Sequence, residues 1–307
     1  MPTLKQLASR KELFVSGHRL CPGCGAGVVA RQVMMAIDKP VVVGCATGCL
    51  EVSSTIFPYS AWNTPWLHSA FENVAATISG AVAAYESLKR QGRIHQEAVF
   101  VAFGGDGGTY DIGLQALSGA AERGHRLLYV CYNNQAYMNT GIQRSSATPL
   151  GAHTTTSPAG KVIPGKVQFS KDLASIMVAH NIPYVATAIP GRWADLVGKV
   201  EKAVACGGFA FMEVLSPCRL GWPHDPALTL EITRVAADTC LWPLYEVIEG
   251  KYRLTYRPKE KKPVSEWLKL QRRFSHLFKP ENAHLLEELQ KGVDIRWESL
   301  LKKCEAA

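Results

Sequence analysis

A chain of 307 residues with 47% hydrophobic and 20% charged residues carries enough apolar material for a large core, so it reads as globular and needs no disulfide staples. Its longest apolar runs, such as Val99 to Gly104, fall far below the ~18 residues of a membrane helix, and Met1 to Arg10 has no apolar signal-peptide core, so a cytoplasmic enzyme without a membrane partner is expected. The formal net charge of +8 reflects a Lys and Arg excess in Lys251 to Lys279 without the aromatic interleaving of a nucleic-acid surface; it is read as a solvated or subunit-contacting face, with an acidic electron carrier as second reading.

In chain order, an opening segment to about Gly17 leads to a cysteine-bearing loop, a helix over Ala26 to Ile37 and a short buried strand, Val41 to Val43, running into Gly44. Helical spacing marks Phe71 to Arg90, and an apolar strand over Glu97 to Phe103 is expected to stop at Gly104-Gly105. A helix over Asp111 to Arg123 and a strand over Arg126 to Tyr132 follow. After a long polar loop, Asn133 to Lys166, come a helix over Asp172 to His180, a strand over Tyr184 to Ala188, a helix over Trp193 to Ala205 and a strand over Phe209 to Leu215. Strands alternating with helices imply an α/β fold, a mostly parallel sheet covered on both faces. Beyond Cys218 the pattern fades among prolines and basic residues. The expected organisation is therefore an α/β domain over residues 1–222 and a C-terminal arm over 223–307 that contacts other subunits.

Gly104-Gly105-Asp106-Gly107-Gly108 directly follows an apolar strand, which places Asp106 at the carboxyl end of the sheet, where α/β proteins bind ligands. Glycines let backbone amides approach a phosphate, and the following helix points its positive end the same way. The next strand ends in Tyr132-Asn133-Asn134, so a second oxygen ligand arrives at the same edge; a carboxylate, an amide oxygen, a carbonyl and diphosphate oxygens suit the octahedral preference of Mg²⁺. A lone Gly-Asp-Gly is usually a turn, but this context and spacing resemble the thiamine diphosphate fingerprint. That resemblance makes Asp106, the Asn134 side chain and the Ala136 carbonyl the Mg²⁺ ligands, with Gly105, Gly107 and Gly108 along the diphosphate.

Nine cysteines in a chain read as cytoplasmic point to metal or cluster ligation. Cys21 and Cys24 share a tight loop, Cys49 ends Ala46-Thr47-Gly48-Cys49, and Cys218 follows Ser216-Pro217. Spacing alone leaves two readings even: a 4Fe-4S cluster on thiolates from three segments, or structural zinc on Cys21, Cys24, Cys45 and Cys49. Cys131, Cys206, Cys240 and Cys304 read as small hydrophobes or idle thiols.

Taken together, Cys21-Pro-Gly-Cys24-Gly-Ala-Gly, Ala46-Thr-Gly-Cys49, Gly105-Asp-Gly-Gly-Thr-Tyr-Asp-Ile-Gly113 and Ala136-Tyr-Met-Asn-Thr-Gly-Ile-Gln143 closely resemble the beta subunit of pyruvate:ferredoxin oxidoreductase and related 2-oxo acid:ferredoxin oxidoreductases. The resemblance implies a thiamine diphosphate-binding module that carries one 4Fe-4S cluster on Cys21, Cys24, Cys49 and Cys218 and leaves Cys45 out. It implies cofactor contacts from Cys49, Tyr137, Asn139 and Thr140, with Asn139 as the catalytic amide that donates to a developing oxyanion. Ala26 stands where some single-chain relatives have a glutamate, so that contact does not carry over. The implied partners are an alpha-type subunit supplying the pyrimidine-binding half, gamma- and delta-type subunits with further clusters, ferredoxin as electron acceptor, and coenzyme A if the substrate is pyruvate-like. Pyruvate is the first-choice substrate in an anaerobic setting; oxalate, a branched-chain 2-oxo acid and 2-oxoglutarate are alternatives. The competing functional readings are a non-oxidative thiamine-dependent decarboxylase or transferase subunit with structural zinc, and a non-catalytic electron-transfer or assembly subunit. His68 and His153 have no partner in the sequence and are read as structural.

Overall fold

Stretches rich in β-branched and aromatic residues build one eight-stranded sheet in the computed structural model, which describes residues 2–306. The strands are β1 (Val41–Ala46), β2 (Trp66–Ser69), β3 (Val99–Gly105), β4 (Leu128–Asn133), β5 (Tyr184–Ala188), β6 (Ala210–Leu215), β7 (Tyr245–Ile248) and β8 (Lys251–Leu254), in the order β2-β1-β3-β4-β6-β5-β7-β8. The first six run parallel, and β7 and β8 close one edge antiparallel. The central strands β4, β5 and β6 are buried along their whole length rather than on alternate residues, as strands covered on both faces are.

The helices are α1 (Leu4–Ala8), α2 (Gly25–Ala36), α3 (Cys49–Ser54), α4 (Val74–Arg90), α5 (Leu114–Glu122), α6 (Leu173–Val178), α7 (Trp193–Ala205), α8 (Thr229–Asp238), α9 (Val264–Lys269) and α10 (Ala283–Glu305). One core joins α2 and α7, through Val29, Val33, Leu196 and Val200, to one sheet face. The other joins α4, α5, α6 and the helices after α7 to the opposite face.

Several boundaries differ from the sequence reading, and three of them have a clear local reason. Helix α4 starts at Val74 rather than Phe71, because Ala70 to Asn73 first close a turn in which the Asn73 N–H donates to the Ala70 carbonyl at 3.1 Å. Strand β3 runs through Gly104 and Gly105, whose backbones pair with Cys131 and Tyr132; the glycines do not stop the ladder. Helix α5 starts at Leu114 because Gly108 to Ile112 form a wider turn, closed by the Gly113 N–H donating to the Gly108 carbonyl at 2.7 Å.

Strands β2, β7 and β8 lie outside the expected elements. Residues 223 onward, where the pattern fades, supply β7 and β8 to the same sheet, and α10 lays Leu285, Leu289, Val293, Trp297 and Leu300 into its core. Among the described residues no helix is long and apolar enough to cross a membrane.

A cleft at the carboxyl ends of four adjacent strands

β1, β3, β4 and β6 are consecutive in the sheet and parallel, so their carboxyl ends open on one edge. Chain order converts this into a site: Cys49 follows β1, Asp106 follows β3, Asn134 follows β4 and Cys218 follows β6. Because Gly105 is in register with Tyr132, the Asp106 and Asn133-Asn134 segments emerge side by side.

Asp106 is fully buried. Its Oδ1 accepts the Asn134 backbone N–H at 3.1 Å and its Oδ2 accepts the Ser145 hydroxyl at 2.6 Å. Burial pushes this carboxyl up to about 7 from its ordinary 3.8, against the pull of those two donors. One terminal atom of the Asn134 side-chain amide lies 2.9 Å from Asp106 Oδ1 and 2.8 Å from the Ala136 carbonyl oxygen. With the NH₂ turned in, that atom donates to both. With the oxygen turned in, its separations of 2.9 Å from Asp106 Oδ1 and 2.8 Å from the Ala136 carbonyl oxygen are each the length of an octahedron edge for ~2.1 Å metal–oxygen bonds, as Mg²⁺ prefers.

Cys49, Gly105, Gly107, Asn134, Ala136, Tyr137, Asn139 and Thr140 line one cleft together with Thr47, Gly48, Phe71, Tyr132 and Met138. Asp106 and Gly108 are buried and are not among its lining residues. Gly107 carries no side chain because a Cβ there would stand 2.6 Å from the Tyr137 ring; that ring stacks on Phe71 at 5.6 Å and its hydroxyl donates to Asp111 at 3.0 Å. The segment from Tyr137 to Gln143 closes on itself, and Gln135 and Ile142 adopt left-handed backbone angles that a β-branched residue rarely takes. Asn139 and Thr140 are exposed at its tip. The Thr140 hydroxyl donates to Gln143 at 2.6 Å, whereas Asn139, which lines the cleft, makes no hydrogen bond among the described residues.

The cysteine loops meet next to this cleft. Gly25 N–H donates to the Pro217 carbonyl at 3.0 Å, and a Cβ on Gly25 would lie 2.7 Å from the Pro217 nitrogen, so the Cys24 and Cys218 loops are in backbone contact. Burial pushes the Cys49 thiol up to about 12, with Cys218, Cys24 and Cys21 adding to the rise. Burial also raises Cys24 and Cys218, opposed by backbone N–H donors from Gly27 and Ala26 to the first and from Gly221 and Leu220 to the second. Such N–H donors to sulfur stabilise thiolates. Cys45 is wholly buried in β1 and is driven up by burial and Glu51, with none of these thiols acting on it. Among the described residues no three His, Cys, Asp or Glu side chains are gathered as ligands of a single ion.

His68 Nε2 lies 2.7 Å from the Thr47 hydroxyl and 3.8 Å from Glu51, beside the cleft. His153 Nδ1 accepts the Ala159 N–H at 2.9 Å and shapes the long loop. Sequence reasoning missed Ser145, the hydroxyl donor to Asp106, and a buried trio in which Tyr110 and Asn133 both donate to Glu213 Oε1. Burial raises the Glu213 carboxyl to about 7.

Residues 43–214 match the family model for the thiamine pyrophosphate enzyme C-terminal TPP-binding domain. The chain is 52% identical to the pyruvate synthase subunit PorB of Thermotoga maritima, over 97% of this chain and 95% of that protein, and 51% identical to the PorB subunit of Methanocaldococcus jannaschii, over 93% and 95%. A solved structure of the 2-oxoglutarate:ferredoxin oxidoreductase from Magnetococcus marinus superposes on 74% of this chain and 81% of that one with a TM-score of 0.56 at 20% identity, a likeness of fold. With relatives this similar along almost its whole length and a cofactor-domain match spanning the four strands that build the cleft, the chain belongs to the thiamine pyrophosphate enzymes and, within them, to the PorB family of pyruvate synthase subunits.

Proposed function

We propose that this chain is the cofactor-binding beta subunit of a pyruvate:ferredoxin oxidoreductase. In this reading Asp106, Asn134 and Ala136 hold Mg²⁺ on the diphosphate of thiamine diphosphate, and Cys21, Cys24, Cys49 and Cys218 hold one 4Fe-4S cluster. The observation that carries it is the spacing of the Asp106, Asn134 and Ala136 oxygens at the strand ends that also deliver Cys49 and Cys218.

Thiamine diphosphate, when bound, supplies the carbanion and the electron sink for decarboxylating a 2-oxo acid. The residues of this chain bind, orient and exclude water. Ser145 and the Asn134 N–H fix the Asp106 carboxylate toward the cation. Tyr137, stacked on Phe71 and anchored on Asp111, fixes the loop that carries Asn139. The Asn139 amide, uncommitted among the described residues, is available to donate to oxygen charge developing on the substrate, worth a few kcal/mol for one such donor. Cys49 lines the cleft itself, so as a cluster ligand it would stand between the cofactor site and the cluster and offer a short path for single electrons.

The cleft is open at Asn139 and Thr140, and none of its lining among the described residues is a carboxylate that could meet a pyrimidine ring, which fits an alpha-type subunit completing the site. Phe57 at 94% and Val162 at 92% exposure offer apolar contacts for such partners. Gamma- and delta-type subunits with further clusters, ferredoxin and coenzyme A complete the assignment, in an anaerobic cytoplasm. The test is to purify the native complex without oxygen and measure iron, acid-labile sulfide, zinc, magnesium and thiamine diphosphate per chain. About four iron and four sulfide on this subunit support the reading; zinc without sulfide overturns it and leaves a non-oxidative thiamine enzyme.

A further inference from the structure

Arg273 is a buried cation for which the chemistry above has no use. It lies in the short helical stretch Arg272–Phe278, 3% exposed, with its guanidinium 4.1 Å from the Trp222 ring and 4.8 Å from that of Phe274. Its hydrogen bonds go to neutral amides: Nη2 donates to Gln135 Oε1 at 2.5 Å and to Gln271 Oε1 at 2.8 Å, and Nε to Gln271 at 3.0 Å. Amide oxygens and ring faces orient a guanidinium but cancel none of its charge, and a buried charge without an opposing one is costly.

The surroundings indicate where the opposing charge lies. Trp222, on which the guanidinium rests, donates its backbone N–H to the Cys218 carbonyl at 2.8 Å and its indole N–H to the Asn134 carbonyl at 2.7 Å. Arg273 thus sits against the ring of a residue that ties the Cys218 loop to the Asn134 loop. Burial pulls the Arg273 guanidinium well below its ordinary value, and the acidic groups that oppose this are Cys218 and then Asp106. Asp106 already has two donors and faces the position of a divalent cation, so the thiolate side is the one left to balance.

Resting on the cluster assignment above, we infer that Arg273 is the built-in counter-charge of that cluster, a positioning residue that favours its reduced state. A cluster accepting one electron gains one negative charge, and a fixed cation held nearby in a dry site stabilises that product relative to the oxidised form. At an effective dielectric near 20, a unit charge within roughly 10 Å changes a one-electron equilibrium by about an order of magnitude. Arginine suits the role because it stays protonated where a buried lysine would lose its charge.

The experiment is a redox titration of the anaerobic native complex followed by electron paramagnetic resonance, with the signal of this subunit's cluster assigned as the one lost in Cys49→Ala. Arg273→Met lowers the ratio of reduced to oxidised cluster at fixed potential about tenfold, equivalent to about 59 mV for one electron. Gln271→Glu does the same without truncating anything, because it places a carboxylate on the guanidinium; it carries the test if Arg273→Met does not assemble. An unshifted midpoint in Gln271→Glu or Arg273→Met, at full iron and sulfide content, overturns the inference. Absence of iron and sulfide from the wild-type subunit overturns the functional assignment instead, and the two failures are read from different measurements.

Discussion

Asp106 gives the proposed Mg²⁺ site a pH dependence that can be worked out in advance. The cation binds the carboxylate, and burial holds this carboxyl near 7 in the free chain, so at and below neutrality Mg²⁺ has to displace a proton. Affinity for Mg²⁺ at fixed thiamine diphosphate then falls about tenfold per pH unit below 7 and levels off above it. Ser145→Ala removes the hydroxyl that donates to Asp106 Oδ2 at 2.6 Å. A hydrogen bond to a charged group contributes about 1.5–3 kcal/mol, and one pKa unit corresponds to about 1.4 kcal/mol, so the Asp106 carboxyl rises by roughly one to two further units. At pH 7, where the wild-type carboxyl is itself only half ionised, the variant binds Mg²⁺ roughly 5- to 50-fold more weakly, and raising the pH to about 9 restores most of the loss. Calorimetric titration of the native complex with Mg²⁺ from pH 6 to 9 reads both curves. A wild-type affinity that is flat between pH 6 and 8, or a Ser145→Ala defect of equal size at every pH, refutes the reasoning.

Glu213, buried with a folded pKa near 7 against an ordinary 4.5, favours folding while protonated; that contribution is complete below about pH 4.5 and is lost as pH rises through 7. Glu213→Gln keeps an oxygen for Tyr110 and Asn133 and removes the buried charge, so by roughly 3 kcal/mol it raises the melting temperature by several degrees at pH 8 and changes little at pH 4, which parallel thermal melts would reveal. Cys45→Ala, at a thiol isolated from the other four, leaves iron content unchanged, whereas Cys49→Ala and Cys218→Ala each lose most of it; iron loss in Cys45→Ala would return the zinc set to contention. Asn139→Ala leaves the melting temperature in place, since the side chain makes no hydrogen bond among the described residues, and lowers kcat about 10²-fold with KM nearly constant; a matching loss of stability would mark the residue as structural.

How far the sequence predicts this molecule depends on how local the cause is. Strand β5 and helix α7 match their predicted bounds because each carries a local signal, a short β-branched and apolar run in β5 and helical spacing of apolar residues over 13 residues in α7. Asp106 and Asn134 were legible as a pair because each follows an apolar strand, and strands adjacent in an α/β chain are usually adjacent in the sheet. β2 was not legible: Trp-Leu-His-Ser is four residues without alternation, and it becomes a strand only by pairing with β1. Likewise β7 and β8 sit among prolines and are fixed by pairing with β5 and with each other.

The site divides along the same line. Ser145 lies 39 positions from the carboxylate it serves, and Arg273 lies 138 positions from Gln135, with loop closure rather than any sequence pattern joining each pair. These are the residues that set charge and protonation, while the legible ones, Asp106, Asn134 and the cysteines, are ligands. Ligand identity is dictated by the chemistry of the group held, so it recurs as a motif; tuning requires only a hydroxyl or a cation within reach, which many chain positions could supply. The part of the chain least readable from sequence, residues 223–307, is therefore not peripheral to the chemistry. It builds the sheet edge and the Trp267 and Phe274 packing that bring Arg273 against Trp222, and through Trp222 it bears on the loops of Cys218 and Asn134 together.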